Sequence, residues 1–453
     1  MSTPSGAEPT HTAGQLPLEP FTHMAPTATG LLDLDLSPAP VIPRGDDRGA
    51  SFRDALLLVR LHGQPLDVLY VDRALDGLTA TELYELVWSR LAGAIRLHAS
   101  QAGCMPLPER AEDIVGSSGE ATDCPLNKAA QPPGSVAVIV PTSGRRDRLR
   151  RCLAALADLP GPEYEIIVVD NRPGFGETKR IVDEASSATR HALRRIEEPR
   201  PGSAVARNRG VSQTQADILV FTDDDVVVDR DWLRWLVEPF TCADVGATTG
   251  LVFPLELETP AQKLFELYSG FSLGLERRSY DLETNRADDR LLYPFWGGMF
   301  GSGASMAFRR EGFVAASGFD PALTTGQDVD ALSAAVLRDE RLVYEPRSLC
   351  WHANHREVAA LRRQLFIYGV GFTATLTKAL LHDRRFCAAV ARSVPVVVGL
   401  YRRRRSRPRD SQPTLPADLA RLERLGMLWG PMRYARGAVR SRRLDLDRVI
   451  RGE

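Results

Sequence analysis

Asp223-Asp224-Asp225 sets three carboxylates side by side directly after the apolar run Ile218–Phe221. Neighbouring like charges repel, so a positive partner is called for. A hard divalent cation held by oxygen ligands, Mg2+ or Mn2+, meets that need, keeps several waters and bridges substrate phosphates. The plainer alternative is a solvated acidic turn capping a helix that begins near Trp232. Two more polar groups close apolar runs in the same way: Thr142 follows Val138-Ile139-Val140-Pro141, and Asp170 follows Ile166-Ile167-Val168-Val169. Ligands of open α/β sheets collect at the carboxyl ends of strands, so these three ends would share one crevice.

The elements that must hold them are legible from residue 135 onward. Strands at 136–140, 165–169, 192–196 and 217–225 alternate with helical stretches from about Asp147, at 177–187 and at 204–211. That alternation is the mark of an α/β fold, and strands apolar on both faces belong to a sheet covered by helices. Asp328 and Asp330 lie between the loop Thr324-Thr325-Gly326 and a helix expected from Ala331. A carboxylate there either caps the helix or is kept ionised by its N-terminus. A strand at 342–344 leads through Glu345-Pro346 to Trp351-His352, with His355 three residues on.

Seven stretches in order give the chain a family likeness: 138–142, 165–171, Ala206-Arg207-Asn208-Arg209-Gly210, 221–225, 298–309, Gly318-Phe319-Asp320, and Gly326-Gln327-Asp328-Val329-Asp330. Together they resemble the family-2 inverting glycosyltransferases of GT-A fold, over about residues 135–375. The resemblance implies a mixed, mostly parallel central sheet flanked by helices, and sugar transfer from a nucleotide-diphosphate donor (a UDP-, GDP- or dTDP-sugar) with Mn2+ or Mg2+.

Residue by residue, the resemblance puts Asp170 on the nucleotide base and Pro141 and Thr142 on the wall beside it. Asp225 becomes a metal ligand, Asp223 sits by the ribose and the metal's waters, and His352 completes the metal's protein ligands, with His355 as the near alternative. Arg207 lies where the family keeps a cation near the nucleotide, though helix capping or salt bridging explains it as well. Trp296, Gly297 and Gly298 line the sugar and acceptor pocket. Asp328 matches the general base, which takes the acceptor's proton while the metal stabilises the leaving diphosphate. The family has Glu before that base, whereas Gln327 stands here; the substitution removes a charge and admits a second reading, a catalytically degenerate nucleotide-sugar binding or scaffold protein. Nucleotidyl transfer would want a Gly-rich basic phosphate loop, of which Thr142-Ser143-Gly144-Arg145-Arg146 is a poor version.

The 453 residues leave room for more than this unit. Residues 1–50 are rich in Pro, Thr, Ala and Gly and read as disordered. Residues 51–100 read as a small ββα module: a hairpin about Gly63-Gln64, then a helix opened by the capping box Thr79-Ala80-Thr81-Glu82. It is too small to stand alone and is expected to pack on the main domain, its His62 and His98 serving as core or surface residues rather than ligands. Residues 101–134 read as a linker. The six Cys form no Cys-x-x-Cys pair, which speaks against a zinc ribbon.

Residues 376–453 read as a helical, Arg-rich extension, with 18 Arg against 6 Asp and Glu from Arg384 onward. An apolar stretch at 386–401 followed by six Arg fits peripheral contact with an anionic membrane, or else a basic solvated tail or subunit contact. No nucleic-acid recognition motif accompanies the charge. With no secretory signal and no stretch long and apolar enough to span a bilayer, a cytoplasmic protein, peripheral at the inner face of the membrane, is expected.

Overall fold

Apolar sequence runs become the buried strands of two sheets. The computed structural model describes residues 28–36, 52, 54–72, 78–103, 107–113, 124–131, 134–157, 159–160, 163–174, 176–283, 292–295, 298–388, 390 and 416–441. The smaller sheet has the order β1 (Gly30–Asp35), β2 (Ala55–Leu61), β3 (Gln64–Val71), parallel between the first pair and antiparallel in the second. Strand β2 is apolar on both faces because both are covered. Ala55, Leu57 and Val59 pack with helix α1 (Ala80–Gln101), whereas Leu56 and Leu58 join the core of the larger domain. Thr79 and Glu82 form the expected capping box.

Two readings change here. Residues 30–35, placed in a disordered arm, form a strand with Leu32 and Leu34 in the module core and Leu31 against the core of the larger domain. The hairpin turn is His62-Gly63 rather than Gly63-Gln64, with φ of 53° and 78°. Leu61 pairs with Gln64, which leaves two central residues, and positive φ at both is the geometry of a type I′ turn.

The larger sheet runs in the order β10 (Arg278–Tyr280), β12 (Arg341–His352), β9 (Val245–Pro254), β11 (Met306–Arg309), β7 (Ile218–Phe221), β4 (Val136–Thr142), β5 (Tyr164–Asp170), β6 (Ala192–Glu197), with β8 (Val226–Val228) beside β12. Pairings are parallel from β7 through β4 and β5 to β6, and antiparallel where β11 meets β7 and β9. Helices α2 (Arg146–Leu156), α3 (Glu177–Ser186), α4 (Ser203–Val211) and α5 (Trp232–Val237) cover the parallel half. Phe221 at the end of β7 is fully buried and meets Phe319 edge to face at 5.0 Å. Burying such a ring stabilises the strand end by about 1.5–3 kcal/mol. The acidic triplet thus hangs from a rigid support.

Beyond α6 (Pro260–Ser269) and α7 (Arg310–Ala315), helix α8 starts at Gln327 rather than Ala331, with Gly326 in a left-handed conformation just before it. Asp328 therefore lies in the first helical turn. Helix α9 (Val358–His382) is the single helix among the described residues long and apolar enough to cross a membrane, contrary to the expectation that no stretch is. It packs against α6 and α10 (Ala417–Ser441): Leu361 and Leu365 bury with Ala261, Phe265 and Leu419. Glycines permit the close crossing, since a Cβ on Gly426 would lie 2.1 Å from the Phe366 carbonyl oxygen. The other face of α9 touches the start of α8, where Gly371 meets Thr325. The stretch at 386–401 and the Arg run at 402–409 fall almost wholly outside the described residues.

Candidate active site

Each strand end delivers its polar group, and each group has a specific partner. Thr142, at the end of β4, donates its hydroxyl to Asp224 Oδ2 at 2.6 Å. Burial raises the Asp224 carboxyl to about 6 despite that bond. The middle acid of the triplet therefore points into the protein, and Asp223 and Asp225 face the cleft.

Asp225 is only 9% exposed in its side chain and is ringed by cations. Its Oδ2 accepts from Arg145 Nη1 at 2.6 Å and Arg148 Nη1 at 2.8 Å, while Oδ1 lies 3.5 Å from His352 Nε2. Burial alone would raise the carboxyl; the His352 ring and the two guanidinium groups overcome it and hold it below the usual range. His352 Nδ1 meets Asn354 Oδ1 at 2.8 Å, and Asn354 Nδ2 donates to Glu266 Oε1 at 2.5 Å. Because the amide nitrogen is spent on Glu266, Oδ1 is the acceptor and His352 Nδ1 carries the proton. In the neutral ring Nε2, the atom facing Asp225, is then the one that can ligate a cation. An oxygen anion and an imidazole nitrogen facing each other, with the ring oriented by a second hydrogen bond, fit a divalent cation. Asp223 does not close this set. His355 stays half-buried nearby, its imidazole lowered by burial and by Arg148 and Arg145.

Asp223 turns the other way. Its Oδ1 accepts from Arg207 Nη2 at 2.7 Å, and a third of its side chain stays open to the cleft. Arg207 is held by its neighbours: Asn208 exchanges two hydrogen bonds with the Phe319 backbone, at 2.7 and 3.0 Å, and the guanidinium lies 5.5 Å from the centre of the Phe319 ring. Of the roles left open for Arg207, a salt bridge is present. Asp328 Oδ2 accepts the Gly303 N–H at 2.9 Å. A Cβ on Gly303 would lie 3.0 Å from that oxygen and 3.3 Å from Arg207 Nη2. Asp223, Arg207 and Asp328 therefore converge on one backbone position.

Asp170 ends β5 in a buried ion pair. It is 2% exposed, with Oδ2 accepting from Arg195 Nε and Nη2 at 3.1 and 2.9 Å and Oδ1 accepting the Arg172 N–H at 3.1 Å. Arg195 reaches it from the adjacent edge strand β6 and also bonds Glu197, so this end of the crevice presents a guanidinium as well as a carboxylate. Pro141 is buried in β4. Gln327 is buried too; its amide nitrogen bonds Ser203 Oγ, and its Oε1 has no partner. Gly298 is exposed with φ of 78°, whereas Trp296 and Gly297 lie outside the described residues.

Four contributors escaped the sequence: Arg145, named there only within a poor phosphate loop; Arg148; Arg195; and Asn354, whose role shows only with Glu266 beside it. Tyr368 of α9 also faces the cleft, its hydroxyl pushed up chiefly by burial, with the Asp328 and Asp225 charges adding to it.

Residues 137–314 match the family model described as glycosyl transferase family 2. They belong to that family. The chain is 36% identical over 119 residues to glycosyltransferase AglE of Haloferax volcanii, covering 26% of this chain and 39% of the relative. It is 26% identical over 223 residues to the pre-mycofactocin glycosyltransferase of Mycobacterium tuberculosis, covering 49% of this chain and 43% of that one. The matched region thus spans less than half the length of either curated relative. A solved mannosyltransferase, PcManGT from Pyrobaculum calidifontis in complex with GDP-Man and Mn2+, is similar at 18% identity, covering 81% of this chain and 99% of that one with a TM-score of 0.42.

Proposed function

We propose that the chain is a metal-dependent, inverting glycosyltransferase. It moves a sugar from a UDP-, GDP- or dTDP-sugar to a hydroxyl of a cell-envelope, lipid-linked or secondary-metabolite acceptor. The convergence of Asp223, Arg207 and Asp328 on Gly303 carries this reading, because it sets a candidate base beside the charged groups of the donor side. Family membership supports sugar transfer.

Bound between Asp225 and His352, the cation would offset charge developing on the departing diphosphate. The chain's own residues do the rest. Arg145 and Arg148, released in part from Asp225, orient the diphosphate by charge-assisted hydrogen bonds. Arg207 keeps Asp223 in place beside the ribose. Asp328 has Oδ2 anchored by Gly303 N–H, which leaves Oδ1 to accept the proton of the attacking hydroxyl. It lies in the first turn of α8, directly after the left-handed Gly326. Gln327 packs on Ser203 as a neutral group and positions the base loop.

Calorimetric titration with UDP-, GDP- and dTDP-sugars, with and without Mn2+, tests the donor reading. One donor class should bind only when metal is present, and Asp225→Ala should lose that binding. Failure of every donor would refute the reading.

A further inference from the structure

A second cluster lies in the N-terminal module. His62 Nδ1 and His98 Nε2 are 3.0 Å apart, and Cys124 Sγ is 3.9 Å from the same His98 nitrogen. All three ligand atoms lie within 4.8 Å of one another, the single such group of His, Cys and acidic residues among the described residues. The side chains come from three separate places: the tip of the β2–β3 hairpin, the last turn of α1, and the residue just before the turn Pro125–Asn127. His62 is a hairpin-tip residue, a position usually left in solvent, yet it is 4% exposed and takes a left-handed φ of 53°. His98 and Cys124 are 5% exposed each.

We propose that His62, His98 and Cys124 bind a structural zinc ion that staples the hairpin, the helix end and the 124–127 segment together. Two imidazole nitrogens and a thiolate are borderline-to-soft donors that select zinc over Mg2+ or Mn2+. Tetrahedral zinc with ordinary bond lengths would set its two nitrogens about 3.3 Å apart and a nitrogen and sulfur about 3.6 Å apart, close to the spacings here. One tetrahedral position remains for a further ligand.

The location gives the site a purpose. Gln64 Nε2 donates to the Leu126 carbonyl at 2.6 Å, and Asn127 Oδ1 accepts from Arg234 Nη2 of α5 at 2.5 Å. Arg60 of β2 bonds Asp229, just before α5, at 2.9 Å. The stapled segments are therefore those through which the module meets the helix that follows the acidic triplet. The site shares no residue with the catalytic cleft and stands whether or not the proposed donor chemistry does.

The test uses full-length protein purified without added metal and measures metal by mass spectrometry after gel filtration. About one equivalent of zinc should remain, persist in Asp225→Ala, and fall at least several-fold in His98→Ala and Cys124→Ser. Stripped wild-type protein titrated with Co2+ should show the visible bands of tetrahedral cobalt and a near-ultraviolet thiolate charge-transfer band. That band needs no variant to fold and cannot arise from the Asp225–His352 pair. Wild-type protein that retains no zinc and gives no thiolate band overturns the proposal, leaving a neutral imidazole pair hydrogen-bonded in the core.

Discussion

Asp225 Oδ1 faces His352 Nε2 across 3.5 Å, and the far side of the imidazole is pinned by Asn354. This pairing makes Asn354 a positioning residue for any cation in the cleft. Asn354→Ala frees the ring to rotate, so Mn2+ affinity should fall about 10–100-fold. Titrating Mn2+ into the wild type and the variant, beside a melting curve to confirm folding, checks this.

Glu266, at the end of the same chain of bonds, is raised from 4.5 to about 7 by burial, against a smaller lowering by the Asn354 amide. A raised folded-state value means the native protein binds a proton that the unfolded chain has released. The associated stability is present in full below pH 4.5 and is lost as pH rises through about 7. Glu266→Gln keeps an acceptor for Asn354 and has no proton to lose. Urea unfolding should show the variant gaining on the wild type between pH 5 and pH 8 by up to about 3 kcal/mol.

Arg207 and Asp223 form a largely buried pair, and removing one partner strands the other. Arg207→Met should cost about 2–3 kcal/mol of stability, less than a fully buried pair because a third of Asp223 reaches solvent. It should also weaken donor binding. Denaturant midpoints and donor titration on the same variant separate the two effects.

The exposed face of α10 carries Leu425, Leu428 and Trp429 among Arg421, Arg424 and Arg433. Contact with an anionic bilayer through this face would be abolished by Leu428→Glu with Trp429→Glu, and the melting temperature should not move. Flotation with anionic vesicles reads the outcome; unchanged flotation would show that the face plays no part.

Two strands that build the cleft were legible because each holds an apolar run closed by a polar residue, Val136–Val140 before Thr142 and Ile166–Val169 before Asp170. Strand β1 was hidden because six residues amid Pro-rich sequence carry little signal until β2 pairs with them. The early start of α8 depends on the left-handed Gly326, and Ser203 bonds its Gln327 from 124 residues away. Side-chain partners across such separations leave no local trace. Asn354 and Glu266 are 88 residues apart, and Arg195 claims Asp170 from the neighbouring strand. For the same reason His62 and His98 read as core or surface residues, since Cys124 meets them only in the fold.

Asp328 as the base of an inverting transfer is the central claim, and the configuration of the released sugar tests it most directly. Proton NMR during the first turnovers of donor hydrolysis in Mn2+ reads the anomer before it equilibrates. The wild type should release the anomer opposite to the donor's, and Asp328→Asn, which still accepts the Gly303 N–H, should be about 10²–10⁴-fold slower with donor affinity unchanged. Release of the retained anomer, or full activity in Asp328→Asn, would contradict it.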